Sequence, residues 1–120
     1  MTPNVAKRLL DALEAARRIR EFIGNKDADQ YAQDPLLRSA VERQFEIIGE
    51  ALGKAGALDL QVATTVTDLP RIVGLRNRLI HGYDSVDDEI IWDIIQSKIL
   101  PLIERLAVFL KKEGYPSGNL

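Results

Sequence analysis

The sequence predicts an all-α fold, an up-and-down antiparallel bundle of four main helices, and three observations carry that expectation. Apolar residues recur at three- and four-residue steps over most of the chain, the spacing that lines one face of a helix. No stretch alternates apolar and polar residues as a half-buried strand does. At 120 residues the chain suits one core, because a domain of about 100 to 150 residues buries roughly two thirds of the surface its unfolded form exposes. Residues 1–113 are therefore expected to form a single helical domain, and 114–120 a C-terminal tail.

The elements follow in order. Val5, Leu9, Leu13, Ala16, Ile19 and Ile23 mark a first helix, with Thr2 as its cap, Pro3 in its first turn and Gly24 as its stop. The polar connector from Asn25 to Asp34 has room for a turn of helix around Tyr31. Pro35 opens a second pattern through Leu37, Val41, Phe45, Ile48, Leu52 and Ala55, and Gly56 is the expected stop. The segment from Ala57 to Thr67, rich in the β-branched Val62, Thr64, Thr65 and Val66, reads as a loop with room for short helical turns. Thr67 or Asp68 then caps a shorter third helix, with Pro70 in its first turn, Ile72, Val73, Leu75, Leu79 and Ile80 as apolar positions, and Gly82 at its end. Ser85, with Asp88 three residues on, resembles a capping box for a last helix reaching about Lys112, which Pro101 should bend or break. Ile90, Ile91, Ile94, Ile95, Ile99, Leu102, Ile103, Leu106, Phe109 and Leu110 cover more than one stripe of that helix. Burial on two sides is the implication, and a second copy of the chain would supply the second side in a homodimer; a central helix in a monomer would give the same pattern.

Composition narrows the function classes. Apolar residues make up 46% and charged residues 28% of the chain, a globular mixture that excludes a disordered or membrane-embedded protein. There is no cysteine and one histidine, His81, so thiolate and multi-histidine metal sites within one chain are excluded and neither metal nor cofactor is expected. Met1 to Val5 lacks a signal pattern and no apolar run approaches the roughly 18 residues of a membrane span, so a cytoplasmic protein is expected. A net charge of −2 argues against nucleic-acid binding by bulk charge. Locally the picture differs, because Arg71, Arg76 and Arg78 precede the acidic cluster Asp84, Asp87, Asp88 and Glu89.

That contrast frames the run Arg76 to Asp84, RNRLIHGYD. On a helix Asn77 and His81, four apart, share a face; Arg78 is also a neighbour of His81, whereas Arg76 is rotated from it by about 140°. Spacing does not choose between the arginines. Histidine exchanges protons near neutral pH, and arginine offers a permanently charged planar fork for phosphate. The two together suffice for RNA cleavage, in which the ribose 2′-hydroxyl attacks its own phosphate and a cation stabilises the phosphorane. The same residues also make an ordinary helix C-terminus, with basic side chains and a glycine satisfying the last carbonyls and the dipole. Asn77 alone reads as a surface residue, Tyr83 as a packing residue, and Trp92 as a core or interface residue. Glu50, midway along the second helix, is placed to orient His81 or pair with Arg76, although glutamates are more often solvated.

Arg76, four residues, His81, one residue and Tyr83, with Asn77 after the arginine, resembles the signature of HEPN ribonucleases, in particular the HepT-like branch. The stretch from Ile47 to Ala51, Leu69 and Pro70 at the entry to the motif helix, and Asp88 to Trp92 at the start of the last helix resemble that branch in order and spacing. The resemblance runs from about Val5 to Leu110. It implies a dimerising helical bundle whose two motifs meet in a cleft that cleaves RNA without metal. Arg76 and His81 match the catalytic pair and Asn77 matches the polar residue that often follows the arginine, while Arg78, from its spacing, and Glu50, from its place on the second helix, are the further supporting residues. It also implies a partner, a small nucleotidyltransferase antitoxin that transfers AMP to the motif tyrosine, here Tyr83, in a homodimer or a larger hetero-oligomer. Two other readings stay open: a non-catalytic nucleotide- or RNA-binding HEPN module, and a structural helical dimer that partners a nucleotidyltransferase.

Overall fold

The computed structural model describes residues 1–66, 68–81 and 87–115, with the backbone but not the side chain of His81. Every element among them is a helix: α1 (Pro3–Ile23), α2 (Ala28–Gln33), α3 (Pro35–Leu58), α4 (Leu60–Thr65), α5 (Leu69–His81) and α6 (Asp88–Lys112). Four are long and two short. Among the described residues no helix is long and apolar enough to cross a membrane.

Polar caps at the helix ends explain most boundaries. Thr2 Oγ1 accepts the Val5 amide at 3.2 Å and starts α1, while Gly24 closes it at φ 52° and ψ −124°, a positive-φ backbone that residues with a Cβ resist. Asp27 and Gln30 cap α2 reciprocally. Asp34 accepts from the Leu37 amide at 3.0 Å ahead of Pro35, starting α3. Helix α3 runs through Gly56, the expected stop, to Leu58, where Asp59 ends it and also caps α4 by accepting the Gln61 amide at 2.9 Å. The expected loop after Ala57 is thus largely helical, held by the buried Val62 and Val66. Helix α6 is capped by Asp87, which accepts from the Glu89 amide at 2.8 Å. It continues unbroken through Pro101 to Lys112. The expected roles of Thr67, Gly82 and Ser85, and the tail from Pro116, lie outside the described residues.

Helix α1 is the centre of the core. Val5, Leu9, Leu13, Ile19 and Ile23 are buried along it, and Ala12, Ala15 and Ala16 keep its surface low enough for α3 and α6 to pack on two sides. Helix α6 buries Ile91, Ile95, Ile99, Leu102, Ile103, Leu106 and Leu110 within the chain. Ile90, Leu100 and Val108 on the same helix stay exposed. Helix α5 is held chiefly by α3. Between α5 and α6 lies a groove of about 200 Å³, floored by Phe45 and Ile48 of α3 and walled by Leu75 and Ile94.

Short helix α2 is pinned by Tyr31, which is fully buried and packs tilted against Trp92 with ring centroids 5.7 Å apart. Trp92 itself is half-buried and packs against the core. Burial, then the charges on Glu42 and Asp88, push the Tyr31 phenol above its ordinary value. Arg38 crosses to Asp88 at 3.7 Å. Half-buried Glu42 is pushed above the ordinary 4.5 by burial first and by Asp88 second, with Arg38 opposing and Glu46 adding to the push. A raised carboxyl holds its proton more tightly folded than unfolded, so its contribution to stability is complete below the unfolded pKa and is lost as pH rises through the folded one. Glu42→Gln is accordingly expected to melt above the parent protein at neutral pH, with the difference vanishing below about pH 4. Thermal melts followed by circular dichroism across that range check it; a lower melting temperature for the variant at pH 7 would contradict the assignment.

Candidate active site

The motif residues lie on one continuous helix, because α5 keeps its helical backbone from Leu69 to His81. Leu79 is the buried anchor of its last turns. Arg76 falls on the side that packs against α3 and is half-buried, whereas Asn77 and Arg78 are exposed. The rotation between Arg76 and His81 expected from a regular helix therefore holds along the backbone.

The approach of α5 to α3 at this point is unusually close. A Cβ built on Gly49 would lie 2.2 Å from Arg76 Cβ, 2.9 Å from its Cγ and 3.1 Å from the Ile72 carbonyl oxygen. Farther along α3, Gly53 faces Val73 and Gly56 faces Leu69. Ascending numbers on α3 meet descending numbers on α5, so the two helices run antiparallel along a seam of three glycines. Gly56, expected to stop α3, is instead a packing residue in its interior.

At the seam Arg76 has its stem against α3 and its guanidinium beyond. Its Nη1 donates to Asn77 Oδ1 at 3.0 Å. Its Nε is buried with no hydrogen-bond partner among the described residues. A buried donor without an acceptor costs about 1–3 kcal/mol, and such groups in folded proteins call for a reason. Glu50, one residue beyond Gly49, is exposed and pairs with Lys54 at 3.1 Å. The Lys54 hydrogen bond and charge hold its carboxyl below the ordinary value, with smaller contributions from Arg76 and Arg43. The structure thus brings Arg76, Asn77 and the charge of Glu50 to one place, with Glu50 forming its ion pair with Lys54. The His81 side chain and Tyr83 lie outside the described residues. The groove between α5 and α6 opens on another flank of α5, through Arg71, Ile72 and Leu75, and does not include Arg76.

The family described as "Ribonuclease HepT-like" matches residues 12–111. The chain belongs to that family. Among its relatives, "Putative RNase MJ0127" of Methanocaldococcus jannaschii is 31% identical over 115 residues, covering 93% of each chain. "Putative RNase MJ1380" of the same organism is 33% identical over 93 residues, 76% of this chain and 83% of its own. "Putative RNase TTE0752" of Caldanaerobacter subterraneus subsp. tengcongensis is 34% identical over 85 residues, 71% of this chain and 75% of its own. No solved structure matches the chain significantly.

For a HepT-like protein the sequence reading missed Gly49 as more than part of a recurring stretch. The signal was present: glycines at 49, 53 and 56 fall on one helix face, and glycine inside a helix costs about 0.8–1 kcal/mol relative to alanine unless packing requires it. Arg76→Met keeps a stem against Gly49 and removes the buried donor. It is expected to leave thermal stability unchanged or raise it by up to about 1 kcal/mol. Denaturant unfolding of the two proteins checks this, and a clear loss of stability would mark Arg76 as part of a cap.

Proposed function

We propose that this HepT-like protein is an endoribonuclease that needs no metal, acting in the cytoplasm as the toxin of a toxin–antitoxin pair. The observation that carries the reading is Arg76, a half-buried cation on the motif helix whose Nε has no acceptor among the described residues and whose Nη1 is already oriented by Asn77. Membership of a ribonuclease family and relatives named as RNases support RNA as the substrate. The reacting unit is residues 1–113, with 114–120 as a tail.

In this reading the ribose 2′-oxygen loses its proton to a base and bonds to the adjacent phosphorus. The bond from phosphorus to the 5′-oxygen breaks, and an acid returns a proton to that leaving oxygen. A 2′,3′-cyclic phosphate and a 5′-hydroxyl result. His81 carries one of the two proton transfers. Arg76 donates to the non-bridging oxygens as charge accumulates on them, and Arg78 adds a second cation nearby. Asn77 and Glu50 support Arg76, the first by its hydrogen bond and the second by its charge.

Two copies of the chain form a homodimer that brings both motifs into one cleft. The exposed Ile90 and Leu100 on α6 and the apolar groove beside α5 support such an interface. A small nucleotidyltransferase is the antitoxin, within a larger hetero-oligomer, and it transfers AMP from ATP to the Tyr83 hydroxyl with release of pyrophosphate. The added phosphate would compete with RNA for Arg76.

Cleavage of a mixed-sequence oligoribonucleotide should survive excess chelator and fall at least about a hundredfold in His81→Ala and in Arg76→Ala. Near-normal cleavage by His81→Ala would sink the catalytic reading. Tight nucleotide binding with intact RNA would turn it into a binding module. Incubation with the partner nucleotidyltransferase, ATP and magnesium should add AMP mass that maps to Tyr83, and Tyr83→Phe should keep its mass. Modification elsewhere, or none, would remove the proposed regulation.

A further inference from the structure

We infer that Gly49 is a positioning residue for Arg76, setting the depth at which the motif helix seats on α3 and hence where the guanidinium sits. The inference rests on the catalytic reading above and names a residue outside the motif on which that reading depends.

The three glycines of the seam are not equivalent. At Gly56 the nearest atom to an added Cβ is Leu69 Cδ2 at 2.5 Å, the far end of a side chain that has other rotamers. At Gly53 it is Val73 Cγ2 at 3.2 Å, a contact that yields by a few tenths of an ångström. At Gly49 the opposing atoms are Arg76 Cβ at 2.2 Å and the Ile72 carbonyl oxygen at 3.1 Å. Both are fixed by the backbone of α5. No rotamer relieves them, and carbon atoms in contact rest about 3.5–4.0 Å apart. Any side chain at position 49 therefore moves α5 away from α3 by on the order of an ångström.

The residue displaced first is Arg76. Its stem lies on Gly49, its Nε is buried behind that contact, and Asn77 Oδ1 holds Nη1 at 3.0 Å. Asn77 is exposed and belongs to the same helix, so it turns the guanidinium without setting its depth. Depth comes from α3, at the residue without a Cβ. A group that stabilises charge in the transition state loses effect steeply with misplacement, up to about a hundredfold for an ångström. The loss should fall on kcat and spare KM, because substrate binding draws on other contacts.

The test compares the full-length protein with Gly49→Ala, Gly53→Ala and Arg76→Ala. Two readouts are taken: ¹H–¹⁵N spectra of the arginine Nε–H groups, with the Arg76 signal assigned by its loss in Arg76→Ala, and cleavage kinetics on the same oligoribonucleotide. Gly49→Ala is expected to shift the Arg76 signal and to lower kcat at least about tenfold with KM within about twofold. Gly53→Ala should leave the signal in place and both constants within about twofold. An unmoved Arg76 signal in Gly49→Ala overturns the inference. So does unchanged kcat in Gly49→Ala when Arg76→Ala has lost activity, and in that case the catalytic reading stands. If Arg76→Ala cleaves like the parent protein, the catalytic reading fails, and Gly49 loses its reaction while the spectrum still reports its contact. Should Gly49→Ala not fold, Arg76→Gly in that background, which removes the opposing Cβ, is expected to restore helicity; failure of that rescue also overturns the inference.

Discussion

The arrangement depends on how near α5 can come to α3. Helices with ordinary side chains at their contact pack with axes about 8–10 Å apart, and the small end of that range needs small residues where ridges meet. Here three glycines on one face of α3 remove the ridge altogether and let the backbone of α5 and the stem of Arg76 lie on that helix. The requirement is severe because α5 has few other supports. Leu79 is its one fully buried side chain among those described, while Ile72, Val73 and Leu75 are half-buried and Ile80 is exposed. A helix of 13 residues with so little burial would be marginal by itself. The seam makes up for this by close contact, with backbone and Cβ atoms supplying dispersion that larger side chains would have supplied at greater distance.

This constraint also explains why the boundaries were legible in some places and not in others. The start of α1 at Pro3, the opening of α3 at Pro35 and the end of α6 at Lys112 are written in local chemistry: a threonine or aspartate cap, a first-turn proline, lysines in the last turn. Gly56 was misleading because a glycine that ends a helix and a glycine that admits a neighbouring helix look alike in one dimension. Only Leu69, brought from 13 positions farther along the sequence, distinguishes them. Likewise Val62, Thr64 and Thr65 favour extended backbone locally, yet the Asp59 cap and the burial of Val62 and Val66 draw the segment into α4.

The site was legible as a list of residues and not as an arrangement. Helical spacing makes Arg78 a neighbour of His81 without choosing between the two arginines, and only the family resemblance singles out Arg76. Packing supplies the physical distinction that spacing lacked: Arg78 is exposed, while Arg76 is turned against α3 with part of its guanidinium removed from solvent. An arginine on the surface loses much of its rotamer freedom when it engages a phosphate. An arginine whose stem is already seated has lost that freedom during folding, so less remains to be lost as the transition state forms. The rotation that sets Arg76 apart from the motif face is the same rotation that puts it on the seam. Folding then places the cation at a cost in buried polar surface, and the close packing of α5 on the glycines of α3 couples the seating of the motif helix to the placement of the Arg76 side chain.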